Sequence, residues 1–184
     1  MNKEKIGEML GLVNKIMIIT LSIMIIVRVV LFIPTVVQGK SMMPTLQSKD
    51  GFLVNKISYK FHNVDRFDII VFHENEGDDV VKRIIGLPGD TIQYKNDILY
   101  INGKAVDEPY LTDYKKQISE GNLTGDFSLQ ELTGEVRVPE GYVFVLGDNR
   151  KVSKDSRMFG FVSQGRIVGK GEAVIWPLKH VKVL

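Results

Sequence analysis

Cysteine is absent from this chain of 184 residues, tryptophan occurs once and histidine three times. The first absence excludes a disulfide framework, a thiol nucleophile and a cysteine-ligated zinc site. The histidines, His62, His73 and His180, are scattered and have no clustered carboxylates around them, which argues against a metal centre. None of them sits in a Gly-rich or turn-rich setting. A Ser-His-Asp arrangement stays open only because such triads assemble in space. A charge excess of one sign is also missing: 24 basic residues face 22 acidic ones, and no basic patch points to nucleic acid. Internal repeats and low-complexity tracts are lacking as well.

Hydrophobicity is concentrated near the N-terminus. Residues 16–37 read IMIITLSIMIIVRVVLFIPTVV, with Arg28 as the one charge. That length matches the roughly 20 apolar residues needed to cross a bilayer core of about 30 Å. Arg28 lies toward the outer third, where its side chain could snorkel to the headgroups. A buried core helix and a cleaved signal peptide compete with this reading. The run exceeds a usual signal core, and no small-x-small cleavage pattern follows it. Lys3, Lys5 and Lys15 precede it and place residues 1–15 in the cytoplasm by the positive-inside rule. Lys40, Lys49 and Lys56 follow it, but a long folded domain translocates largely regardless of charge. The expectation is a single-pass membrane protein with residues 38–184 outside.

Beyond the apolar run the signals are β. Phe52–Val54, Asp68–Phe72, Val80–Ile85, Thr91–Tyr94, Ile98–Ile101, Gly141–Leu146 and Arg166–Ile175 are short runs rich in β-branched and aromatic residues. Asn102-Gly103 between Ile98–Ile101 and Lys104–Val106 is a two-residue hairpin signal. No long stretch after residue 40 carries a helical period. The fold class is mainly β: one N-terminal transmembrane helix followed by an antiparallel β-domain. Residues 110–135 are polar and weakly patterned, and read as a surface insertion.

Two side chains stand out chemically. Ser41 lies between Gly39, which tolerates positive φ, and Pro44, which restricts the turn. Alone it is an ordinary loop serine. Lys82 is flanked on one strand face by Val80 and Ile84, since Cβ directions alternate, and Arg83 points to the other face. Burial there disfavours the ammonium and makes the amine a base near neutral pH. The competing reading is an edge lysine that discourages strand pairing. Gly147–Arg157 is dense in turn formers and hydrogen-bonding side chains, suiting either a capped surface loop or a brace for the lysine.

In order along the chain, GKSMMPTL, RFDIIVF, VVKRIIGLPGDTI and GDNRKVSKDSRMFGFV resemble the four boxes of the type I signal peptidases, peptidase family S26, of the single-anchor Gram-positive kind. Phe67 stands where that family usually has glycine. The resemblance implies an almost all-β domain resting on the outer membrane surface, and a Ser-Lys serine endopeptidase that removes N-terminal signal peptides from exported preproteins without cofactor or metal. It implies Ser41 as nucleophile, Lys82 as general base and Ser153 as the hydroxyl that orients the lysine. Asp148 with Arg83, and Asp155 with Arg157, would be ion pairs behind the site. The Ser41 backbone N–H would donate to the oxyanion; Gly39 occupies the position where Gram-negative relatives carry a second donor. Residues 36–39 and 79–81 would border an extended substrate strand. Val37, Met42, Leu46, Val80 and Val81 would line shallow pockets selecting small residues before the cut. The partners implied are secretory preproteins and the lipid bilayer of the cell membrane.

Two other classes remain at this point. A non-catalytic membrane-anchored β-domain of the pilus-assembly type would lack Ser41 or Lys82, and both are present. A self-cleaving Ser-Lys regulator would carry a DNA-binding N-terminus in place of the apolar run.

Overall fold

The computed structural model describes residues 3–74, 79–118 and 121–184. It divides into two compact units, 1–33 and 34–184. In the first, helix α1 runs over Lys3–Leu31. Met9, Leu10, Ile18, Ile19, Leu21, Ile23 and Ile25 are each more than half exposed, so exposed apolar side chains lie on more than one face of it. Among the described residues no helix is long and apolar enough to cross a membrane. The boundaries also differ from the expected tail over 1–15 and span over 16–37. The helix begins at Lys3, and Phe32–Val36 is strand β1. Pro34 explains the early stop, because its ring removes a helical N–H and pushes Ile33 toward extended conformations. The Arg28 side chain lies outside the described residues.

The second unit contains two antiparallel sheets. The larger uses β2 (Gly51–Asn55), β3 (Ile69–His73) and β4 (Asp79–Gly86), with the one-turn helix α2 (Ser58–Phe61) between β2 and β3. The smaller uses β5 (Ile92–Lys95), β6 (Ile98–Ile101), β7 (Lys104–Val106) and, after helix α3 (Thr112–Lys116), β8 (Phe127–Ser128). Helix α4 (Leu129–Thr133) leads to β9 (Tyr142–Leu146), followed by helix α5 (Ser156–Phe159), β10 (Val162–Ser163), β11 (Ile167–Trp176) and β12 (Lys182–Val183). The large sheet has the order β1-β2-β11-β3-β4-β9-β10, with β12 also on β11; the small one has the order β7-β6-β5-β8. Each strand run expected from the sequence is present. In the β6–β7 hairpin Ile101 faces Lys104, and Asn102 and Gly103 both have positive φ, as a two-residue primed turn requires.

Apolar faces bury three clusters. One joins the small sheet (Ile92, Tyr94, Leu99) to Ile85, Phe144 and Leu146 of the large sheet. The second packs Val37, Met42 and Leu46 against Phe52, Val54, Ile69 and Val71. The third contains Ile70, Phe72, Ile84, Val143 and Val145, with Val80 against it.

The expected surface insertion over 110–135 is corrected by this packing. Leu111, Leu123, Thr124, Phe127 and Leu129 are buried, and β8 pairs with β5. Ser128 and Glu131 form a capping box at the start of α4, and Gly134 ends it with φ of +79°. Polar residues alternate here with single apolar anchors, which is why the segment reads as loop by composition. Ser119 and Glu120 lie outside the described residues.

Candidate active site

The nucleophile candidate is placed by its own turn. Gly39 has φ of +83°, and the turn then closes through Met43 N–H to Lys40 O (3.2 Å) and Leu46 N–H to Met42 O (2.9 Å). Met42 and Leu46 point into the second apolar cluster and are almost fully buried. Two hydrophobic plugs thus hold the turn on the sheet and leave Ser41 at the surface of a cleft.

Lys82 comes from β4, opposite Ile70 on β3. Its flanking face residues Val80 and Ile84 pack with the third cluster, and the side chain is only 5% exposed. Nζ lies 3.1 Å from Ser41 Oγ and donates to Val81 O at 3.0 Å. No carboxylate reaches it at ion-pair distance among the described residues. Burial pushes the amine below the ordinary lysine range; Asp155 and Glu74 oppose that shift and Lys154 adds to it. A neutral amine beside a hydroxyl can accept the hydroxyl proton.

The cleft has a volume of about 330 Å³. Thr35, Val36, Val37 and Gln38 line one side, Asp79, Val80 and Val81 the other, with Ser41, Met42, Val71 and Lys82 between them. On β4, residues 79–83 pair with β3, whereas β9 pairs only from Arg83 onward. The second edge of residues 79–81 therefore has no strand neighbour among the described residues, and its backbone groups face the cleft wall. Four of the five expected pocket residues line this cleft. Leu46 does not; it is fully buried in the core behind the turn, because its side chain serves as one of the two plugs.

The expected ion pairs are both formed. Arg83 donates from Nε to Asp148 Oδ1 (2.8 Å) and from Nη2 to Oδ2 (2.7 Å), with the Tyr110 ring 3.9 Å from its Cζ. Arg157 makes the same fork with Asp155, at 2.8 Å on each arm. Asp155 also accepts the Gly147 N–H (3.0 Å) and caps α5.

Ser153 requires a correction. Its hydroxyl is buried and has no hydrogen-bond partner among the described residues, so it does not hold the Lys82 amine in this arrangement; Val81 O takes that place. Ser153 packs against Gly147, where a Cβ would collide with Ser153 Oγ and with the Ser41 carbonyl. Gly147 is thus required by close approach.

Histidines are drawn elsewhere: His73 pairs with Asp79 (2.6 Å) and His180 with Asp50 (2.7 Å). Among the described residues no three His, Cys, Asp or Glu side chains gather as a metal site. Phe67, at the position where glycine is usual in the resembled family, has φ of +73°. Its carbonyl accepts from Arg83 Nη1 (2.8 Å) and its ring packs edge-on against Tyr110, contacts that offset the left-handed backbone.

Sequence reasoning missed the polar structure behind the loop. Arg150 is fully buried and donates to Glu108 Oε1 (2.6 Å), Tyr94 Oη (2.7 Å), Thr124 Oγ1 (3.1 Å) and the Gly147 carbonyl (3.0 Å). Tyr110 Oη donates to the same Glu108 oxygen (2.7 Å). The tyrosine hydroxyls are pushed up, Tyr94 and Tyr110 both chiefly by burial. Glu108 is 42 residues from Arg150, and no local pattern links them.

Comparison with known proteins gives the family. The profile of the family described as "Signal peptidase, peptidase S26" matches residues 10–176. Signal peptidase I of Bacillus caldolyticus is 60% identical over 153 residues, 83% of this chain and 84% of that protein. Signal peptidase IB of Staphylococcus aureus is 43% identical over 164 residues, 87% of this chain and 86% of that one. A crystal structure of a signal peptidase I from Enterococcus faecalis superposes with a TM-score of 0.57 at 50% identity, covering 59% of this chain and 97% of that one. The chain belongs to the bacterial type I signal peptidases of peptidase family S26, which are serine endopeptidases.

Proposed function

We propose that this enzyme removes N-terminal signal peptides from exported preproteins with a Ser41–Lys82 dyad. The observation that carries the reading is the buried, carboxylate-free Lys82 amine 3.1 Å from Ser41 Oγ in a cleft with an unpaired strand edge. An extended peptide adds its backbone to residues 79–81 and sets the scissile carbonyl over Ser41. Val37, Met42 and Val80 leave room for small side chains before the cut.

Neutral Lys82 takes the Ser41 proton as Oγ attacks the carbonyl carbon. The resulting oxyanion is met by the Ser41 backbone N–H, which a positive-φ Gly39 helps turn toward the cleft. Lys82 then gives its proton to the departing amine. A water loses a proton to Lys82 and attacks the ester; Lys82 then returns that proton to the departing Ser41 Oγ, and the signal peptide is released. Val81 O orients the Lys82 amine, while Ser153 packs against Gly147. The Asp148–Arg83 and Asp155–Arg157 pairs hold the walls.

Residues 16–37, a largely apolar run with Arg28 as its one charge, anchor the enzyme in the cell membrane with the N-terminus cytoplasmic and residues 38–184 on the outer face, and the exposed Ile16, Met17, Ile18, Ile19 and Ile23 support this reading. Anchoring brings the site to substrates already held in the same bilayer.

The test is cleavage of a purified preprotein by detergent-solubilised enzyme. Wild type cuts after the signal peptide and Ser41→Ala does not. A Ser41→Ala variant that cuts normally overturns the dyad. Binding without cutting by the wild type would favour a non-catalytic capture domain. Release of the enzyme from membranes at alkaline pH would overturn the anchor.

A further inference from the structure

We infer that Asn149 is a positioning residue for the nucleophile turn and that Tyr114, from the segment after β7, holds it in place. Asn149 is 8% exposed. Its backbone N–H donates to the Ser41 carbonyl (3.0 Å), and its side-chain Nδ2 donates to the Lys40 carbonyl (3.1 Å). Two consecutive carbonyls of the turn are therefore tied to one residue. The remaining side-chain atom, Oδ1, accepts from Tyr114 Oη (3.0 Å). That bond fixes the amide orientation, since the other face must donate to Lys40. The next residue, Arg150, is locked by Glu108, so Asn149 stands on an immobile base.

The consequence is specific. Met42 and Leu46 hold the turn from below through their apolar side chains. Asn149 hydrogen-bonds the Lys40 and Ser41 carbonyls themselves. Rotation of those peptide units would swing Oγ away from Lys82 and re-aim the Ser41 N–H that serves the oxyanion. A displacement of about 1 Å costs on the order of a hundredfold in rate. Substrate contacts along residues 79–81 do not involve Asn149, so the loss should fall on kcat and not on KM.

This rests on the Ser41–Lys82 reading. The experiment uses the full chain in detergent with a preprotein, and compares Ser41→Ala, Asn149→Leu, Tyr114→Phe and the double variant. Asn149→Leu removes both side-chain bonds at similar volume and keeps the backbone N–H. It should lower kcat by about ten- to a hundredfold with KM within about twofold. Tyr114→Phe should lower kcat in the same way but only severalfold, and should add nothing in the Asn149→Leu background. An Asn149→Leu enzyme with wild-type kcat, a rise in KM alone, or additive effects in the double variant overturns the proposal while an inactive Ser41→Ala leaves the dyad standing. An active Ser41→Ala overturns the dyad itself. If Asn149→Leu does not fold, Tyr114→Phe decides, because it deletes a single hydroxyl from a partly exposed ring: unchanged kcat refutes the link.

Discussion

Adjacent residues of β4 bury two cations that behave in opposite ways. Lys82 turns toward the cleft, meets a hydroxyl and a backbone carbonyl, and has its amine pushed down by burial. Arg83 turns to the other face and meets a bidentate carboxylate on Asp148. Arg150 repeats the Arg83 solution with Glu108. A buried cation without a carboxylate becomes a base; with one it becomes a brace. The guanidinium suits bracing because it stays charged and forks onto a carboxylate, whereas the ammonium can lose its proton. One strand thereby supplies reactivity on one face and rigidity on the other.

The largest effect should come from making the cleft cation resemble its neighbour. Lys82→Arg retains charge but cannot be deprotonated in the working range. Preprotein cleavage should fall below detection, as for Ser41→Ala, while circular dichroism reports a folded domain. Conversion of all three histidines to Gln should leave substantial activity in any variant that folds. A cleaving Lys82→Arg enzyme would break the comparison.

On the bracing face the readout is stability. Asp148→Asn leaves Arg83 buried without its countercharge, and Glu108→Gln does the same to Arg150. Each should cost about 3–5 kcal/mol in denaturant unfolding. A loss below about 1 kcal/mol at both sites would show that the two faces do not differ as described.

The pH dependence sharpens the cleft side. Catalysis needs neutral Lys82, so the acidic limb of kcat/KM should report its pKa, below the reference of about 10.4. The unfolded lysine titrates near that reference and the folded one lower. Between the two values the unfolded chain binds more protons, and stability rises with pH. Lys82→Met should flatten that slope and unfold later on its acid side. A limb near pH 10 would mean an ordinary solvated lysine.

The smallest effect is expected at Ser153. Its buried hydroxyl lacks a partner among the described residues, so Ser153→Ala should leave stability unchanged or raise it by about 1 kcal/mol. Cleavage should stay near the wild-type rate. A severalfold drop would show that the hydroxyl reaches Lys82 during reaction.

Much of the β-framework was legible. Period-2 runs gave strands β2 to β7, β9 and β11, and Asn102-Gly103 gave the hairpin, because local sterics and burial act there within a few residues. The motifs placed Ser41 and Lys82 in one family pattern. Pro34 was a readable stop for α1 that an unbroken apolar run concealed. The Ser128–Glu131 capping box was likewise readable but lay inside a polar stretch. An apolar residue beside a nucleophile can face either cleft or core, and the turn's direction sends Leu46 to the core.

By itself, then, the sequence determined the β-rich domain, the apolar N-terminal helix and two candidate reactive side chains, and the arginine–aspartate pairs entered only through the family resemblance. It did so because periodicity, turn chemistry and residue type are local properties. Tertiary structure alone decided that Lys82 reaches Ser41 while Ser153 does not bond to it. It also decided that Glu108 meets Arg150, and that Tyr114 reaches the nucleophile turn through Asn149. These contacts join residues tens of positions apart, and which carbonyl or carboxylate a buried donor meets depends on how the sheets pack around it.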